Sequence, residues 1–360
     1  MQPITSETTL PVEAFESDFA PESLTSIQPM PEGLLARARR ELWDHLPAWM
    51  FFIYAQLLLN TELTNFEPAR GDLAHTVVFP LAVFVLHQVT RFSFGPTHRR
   101  ASRTLLLTSL AFAFGLPLLT FFWHRPSPLS HQALLRIYEW SNFAWAALLV
   151  LNLWLHKRSH VALFFGAGLV YGAALENGGI VLGFFHETNL QDTMVKPFVA
   201  PIATMIGWSV VLAMATFVTW GLRKRLTWLR RSAMASALVV GVLATMLDLQ
   251  IDPIATAAGC WVWHESLPGW FHGVPLVNFV AWVCALTPFA YVVFRLQALR
   301  GIADGGTWSS ADLLRVLAWA PVALICAALM FMGATLVLEG SNGPSWTLLN
   351  TFTSRLLAFL

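Results

Sequence analysis

Long apolar runs alternate with short polar segments along most of the chain. A helical crossing of a bilayer needs about 20 mainly apolar residues. Nine stretches come near that length: 43–60, 73–90, 104–123, 138–155, 161–185, 197–221, 232–252, 275–294 and 311–338. The first is short. The pattern predicts an all-α, polytopic integral membrane helix bundle of about nine transmembrane helices, with eight to ten as the range. Between them, Lys and Arg cluster at 37–40, 91–103, 157–158, 223–231 and 295–315, whereas the alternate connections hold only Arg70, Arg125, Arg136, Lys196 and Arg355. Cytoplasmic loops are enriched in these residues, so the alternation predicts a cytoplasmic amino terminus. The expected location is a bacterial inner (plasma) membrane.

Composition agrees with lipid as the solvent. Hydrophobic residues make up 56% of the 360, charged residues only 12%, and the mean hydropathy is +0.58. A net charge of +1 leaves no electrostatic footprint for nucleic acid. The cysteines, Cys260, Cys284 and Cys326, form no CxxC pair and point to neither a disulfide framework nor a cysteine zinc site. Residues 1–36 mix prolines and carboxylates without a basic segment leading into an apolar run. They are expected to form a disordered tail instead of a signal peptide. Residues 37–340 then make the transmembrane domain, and 341–360, with "SWTLLNTFTSRLLAFL", an amphipathic segment along the interface. There is no internal repeat.

Placed by depth, the polar residues of the spans gather toward the outer end. Glu176 lies in the second half of the fifth span, Asp248 and Asp252 end the seventh, and Asn278 begins the eighth. The outer connections add His186, Glu187, Asp192, His264, Glu265 and His272. Gly168, Gly172, Gly179 and Gly183 stand at helical offsets from Glu176 and share its face. Small residues admit a neighbouring helix, so this carboxyl should point into the bundle. It then either makes a structural hydrogen bond there or lines a functional site, as intramembrane carboxyls commonly do.

Asp248 and Asp252, four residues apart, share a helix face with Cβ atoms about 5–6 Å apart. Two like charges at that range in a low dielectric do not both ionise cheaply, so the pair is expected to keep a proton. A carboxylic acid held neutral is a proton donor. The plain alternative is a solvated helix end, because Pro253 disfavours helix at the residue before it. Beyond the proline, Trp261, Trp263, Trp270 and Phe271 crowd next to His264 and His272. An interfacial aromatic belt explains such a cluster, yet aromatic faces also stabilise cations. The histidines and glutamates of the outer side show no HExxH or HxxxH spacing, so no metal is assigned.

These residues carry a resemblance. "DLQIDPIATAAGCWVWHESLPGWFHGVPLVNFVAW" closely resembles the D-x3-D-P, W-x-W, G-V-P-x-x-N-F motif of membrane carotenoid biosynthesis proteins that include carotenoid 1,2-hydratases. "ENGGIVLGFF" looks like the family's other landmark, and "VKPFVAPIATMIGW" is similar to the proline-bearing helix ending in Trp208 that follows it. The likeness covers roughly 161–295. The family's F-G-x-Y-x-Y run is replaced here by "GFFHETN". The resemblance implies cofactor-independent hydration of the terminal double bond of an acyclic carotenoid end group, reached from the lipid. It also implies other carotenoid enzymes as partners. Carried over by position, it points to Glu176, Asp248 and Asp252 as catalytic carboxyls; our choice for the acid is Asp248, with Asp252 sharing its proton or readying the water and Glu176 the alternative acid or base. Trp208, Trp261, Trp263, His272, Pro275 and Asn278 are the corresponding substrate contacts. Cyclisation of the same polyene, prenyl transfer with magnesium diphosphate on the D-x3-D carboxylates, and transport or lipid binding remain as other readings.

Overall fold

The computed structural model describes Trp43, residues 46–65, 130–186 and 196–359, and the isolated positions Leu81, Val85, Gly115, Leu118 and Phe122. Apart from those isolated positions, the expected spans 73–90 and 104–123 lie outside the described residues, as does the amino-terminal tail. The described chain is helical almost throughout. It runs α1 (Leu46–Asn65), α2 (His131–His156), α3 (Arg158–Val161), a π-helical segment (Ala162–Ala167), α4 (Gly168–Val181), β1 (Phe185–His186), α5 (Ile202–Arg225), α6 (Thr227–Arg231), α7 (Ala233–Ala257), β2 (Val262–Trp263), β3 (Gly269–Phe271), β4 (Val274–Pro275), α8 (Leu276–Arg300), α9 (Ser310–Glu339) and α10 (Pro344–Phe359). Five helices among the described residues are long and apolar enough to cross a membrane: Arg158–Val181, Ile202–Arg225, Ala233–Ala257, Leu276–Arg300 and Ser310–Glu339. They answer to the last five expected spans. The stretches 43–60 and 138–155 are also helical, as α1 and α2, but neither is among those five.

Helix α5 is the centre of the bundle. It is buried along most of its length and packs against α1, α2, α4 and α7. Lipid removes the hydrophobic drive between helices, so close approach through small residues has to supply contact. Gly241 of α7 does this against α8: a Cβ there would meet Thr287 Oγ1 at 2.8 Å and the Val283 carbonyl at 3.1 Å. Tyr171 ties α4 to α8 by donating its hydroxyl to the Ala285 carbonyl at 2.5 Å. On α9, Leu314, Ile325, Leu329 and Val337 face outward, as a lipid-contacting side would.

Helix starts follow local chemistry. Ser130, Ser232 and Ser309 cap α2, α7 and α9 by accepting from the N–H groups of Ala133, Ala235 and Asp312. At the basic end, Arg223 of α5 pairs with Asp304 at 3.0 Å, donates to Ser236 of α7 at 3.0 Å, and lies over the Phe294 ring of α8. Lys157 donates to the Gly305 carbonyl beside it. This network locks three helices and a loop at the end of the bundle remote from the carboxyls.

The expected stop at Pro253 is corrected. Helix α7 continues one turn past the proline to Ala257, and Asp248 and Asp252 are buried in it, at 0% and 3% exposure. They do not form a solvated helix end. A proline inside a helix deprives the carbonyl four residues back of its donor, here that of Leu249. The side-chain amide of Gln250 donates to that carbonyl at 3.2 Å instead.

Candidate functional site

The outer connections fold into two small antiparallel pairs. β1 pairs with β2, setting Phe185 opposite Trp263, and β3 pairs with β4. The first pair joins the end of α4 to the chain that leaves α7, which brings Phe185, Trp261 and Trp263 together beneath it. Phe185 is 5.5 Å from Trp263 and 6.4 Å from Trp261, ring centre to ring centre. Gly183, with φ +82°, makes the turn out of α4, so it is a turn residue more than part of the Glu176 face. Gly172 does serve that face. A Cβ there would stand 2.5 Å from Trp208 Cβ, so α5 rests directly on it. One helical turn further on, Glu176 Oε2 accepts from Trp208 Nε1 at 2.8 Å, and Thr204 is within hydrogen-bonding reach. The Trp208 ring stacks on Trp282 of α8, centres 4.0 Å apart and planes 16° apart.

The close α7–α8 contact sets the second group of carboxyls. Pro275 is buried at the start of α8 with an extended backbone, and Asn278 follows within the first turn. One amide nitrogen, Asn278 Nδ2, donates to Asp248 Oδ2 at 2.8 Å and also to Asp252 Oδ2. The two carboxyls are themselves within hydrogen-bonding reach of each other. Asn278 is therefore a clamp on the pair.

These groups border a cavity of about 320 Å³, within the roughly 300–1,000 Å³ range of ligand pockets. Glu176, Asp252, Asn278, Trp208, Trp261 and Trp263 all line it. Asp248 sits behind Asp252 and does not. His272 and Pro275 stand away from the lining: His272 holds a φ of +49° at the β3–β4 turn with its ring 4.4 Å from Phe271. Most of the remaining wall is apolar, including Leu324, Ala327 and Phe331 of α9. Tyr54 of α1, Tyr138 and Asn142 of α2, and Trp282 complete it. Sequence reasoning passed over these four because one hydroxyl, amide or indole in an apolar span carries no cost that marks it out. The spacing of Tyr138 and Asn142, four residues apart on one helix face, was the available signal.

Among the described residues no group of three or more His, Cys, Asp and Glu side chains is gathered as for a metal ion. His186 is exposed, and His264 Nδ1 is engaged with Ser266 Oγ at 2.9 Å. Glu187 and Asp192 lie outside the described residues. The arrangement that remains is a deep, mostly apolar chamber with a donor-held glutamate on one helix, a clamped aspartate pair on another, and stacked indoles between. Such a chamber suits proton transfer to a hydrocarbon and shelter of the cation that results.

Residues 140–344 match the profile of a family described as carotenoid biosynthesis protein. No curated protein and no solved structure matches the chain.

Proposed function

Because the chain belongs to the carotenoid biosynthesis protein family, we propose that it hydrates the terminal double bond of an acyclic carotenoid end group to a tertiary alcohol. The observation that carries this reading is the joint presence of Asp252 and Glu176 on the wall of one apolar, indole-lined cavity. Asp252 gives its proton to the terminal alkene, and the alkene's electron pair forms the new C–H bond. A tertiary cation is left, next to the faces of Trp208 and Trp282, and a desolvated ring is worth up to about 2 kcal/mol to a cation. Water attacks, the C–O bond forms, and the released proton goes to Glu176, whose carboxylate Trp208 aims. Such general acid and base steps contribute roughly 10²- to 10⁴-fold each. Asp248, held to Asp252 by Asn278, acts as the proton reserve behind it. This assigns delivery to the aspartate that reaches the cavity and gives Asp248, the acid expected from the sequence, the supporting part.

The protein is a membrane protein. We further propose nine spans with the amino terminus in the cytoplasm of a bacterium, the topology that the Lys and Arg alternation supports. The acyclic chain then comes sideways out of the bilayer, past the small residues Ala327 and Ala328 of α9 that border the cavity.

Expression in a host that accumulates lycopene tests the reading. A pigment heavier by one water is the expected product. An isomer of unchanged mass would assign the same cation to cyclisation, and unaltered lycopene in the presence of folded protein would overturn both.

A further inference from the structure

The proposed acid and base leave a second set of polar groups in the cavity without a task. Asn142 of α2 lines the cavity, is 2% exposed, and has no hydrogen-bond partner for its Nδ2 among the described residues. Trp261 also lines it, is 6% exposed, and leaves its indole N–H equally without a partner. Tyr138 joins them. Its hydroxyl is within hydrogen-bonding reach of the Asn142 amide, whose NH2 group still has a second N–H to offer, and its ring meets the Trp261 ring edge on, centres 5.8 Å apart. A buried N–H without an acceptor costs about 1–3 kcal/mol. Two such donors around one tyrosine, in a chamber whose walls are otherwise largely hydrocarbon, are a poor fit to a ligand that is hydrocarbon throughout.

We propose that Asn142, Tyr138 and Trp261 form an oxygen subsite that binds a neutral hydrogen-bond acceptor, either water or a hydroxyl on an isoprenoid end group. Both orphan groups are donors, so the ligand they call for is a hydrogen-bond acceptor. Glu176 lines the same cavity as Tyr138 and Asn142, and a carboxylate there disfavours an anion. For water, the proposal rests on the hydration reading; the donor set itself does not. A water held through one lone pair by Asn142 Nδ2 keeps its other lone pair for the cation. As the C–O bond forms, one of its protons passes to Glu176. The alcohol oxygen then has two lone pairs, one for Asn142 and one for the Trp261 N–H. Without a held water, the cation instead loses a proton from an adjacent carbon to the same carboxylate, and the product is an isomer of the substrate.

Two measurements on the full chain test this. In the lycopene-producing host, Asn142→Leu should lower the ratio of hydrated to isomerised pigment by about tenfold or more, the effect of roughly one well-placed hydrogen bond. Trp261→Phe, which keeps a ring and removes the N–H, should move the ratio the same way and serves if Asn142→Leu fails to fold. In detergent, quenching of the cavity tryptophans reports binding of geranylgeraniol against the hydrocarbon of the same skeleton. The wild type should prefer the alcohol by about tenfold, and both variants should lose much of that preference. Equal binding of the two by the wild type overturns the subsite whether or not the protein hydrates lycopene. Preference for the alcohol without hydration sinks the hydration reading alone and makes a substrate hydroxyl the ligand. An unchanged product ratio together with a lost binding preference removes water and leaves that hydroxyl.

Discussion

Gln250 takes over the donor role that Pro253 gives up, hydrogen-bonding the Leu249 carbonyl so that α7 carries both aspartates inside a continuous helix. Gln250→Leu should therefore destabilise the protein by about 1–2 kcal/mol, the cost of an unsatisfied buried carbonyl, read as a lower Tm in detergent. Adding Pro253→Ala returns the backbone donor to Leu249 and should recover most of the loss. A double variant no more stable than Gln250→Leu would refute the compensation.

The division of labour among the carboxyls predicts a graded series. Asp252→Asn should cut hydrated pigment per folded protein by about 10²-fold or more, as loss of a general acid does. Trp208→Phe keeps a ring to stack on Trp282 but withdraws the N–H from Glu176. The expected loss is smaller, about tenfold, equivalent to one hydrogen bond that orients the base. Equal losses in the two variants would argue that Trp208 shapes the chamber more than it aims Glu176.

Helix spacing can be tested through stability alone. In Gly172→Ala the new methyl would stand 2.5 Å from Trp208 Cβ, an atom fixed to the α5 backbone. Overpacking of this kind costs about 1–3 kcal/mol. Gly333→Ala, on α9 with nothing within 4 Å, should leave Tm unchanged or raise it, since Ala is the better helix former by up to about 1 kcal/mol. Thermal unfolding of the two single variants side by side decides the matter.

At the basic end, Asp304→Asn removes the partner of Arg223, a side chain 7% exposed. Leaving a buried charge uncompensated costs roughly 3 kcal/mol or more, so the variant should unfold at a lower temperature. Its folded fraction should keep the wild-type product ratio, because the pair stands far from the cavity. A shifted ratio would mean that the two ends of the bundle communicate.

Five membrane helices were legible in the sequence because apolar length is what lipid demands. Their ends were less so. Helix α5 runs on through Arg223, Lys224 and Arg225, and α8 through Arg295 to Arg300, where the chain is helical but no longer apolar. Apolarity marks the depth of lipid, whereas hydrogen bonds mark the helix. The Pro253 stop failed for the related reason that a side chain one turn away supplied the missing donor. Glu176, Asp252 and the indoles of 261 and 263 could be named in advance since a carboxyl or a cluster of tryptophans in a span is conspicuous. For Tyr138 and Asn142 the spacing gave a shared face, but which helix that face meets is a property of packing. His272, suggested as a substrate contact by its aromatic neighbourhood, has its ring beside Phe271 and outside the residues that line the cavity.

Phe184 and Phe185 follow one another at the exit of α4 and both line the cavity, yet their rings meet different partners. Phe185 packs with Trp261 and Trp263, whereas Phe184 packs edge on against Phe331 of α9 and joins a smaller cluster with Leu267 and Val277. Successive side chains of an extended segment point to opposite faces, so the number of residues between Gly183 and the first β pairing is a counting device. Adding or removing one residue there would exchange which of the two rings meets the tryptophans and which meets Phe331 of α9. Chain length at this turn thus sets which ring each neighbour receives, something two identical side chains in sequence do not specify.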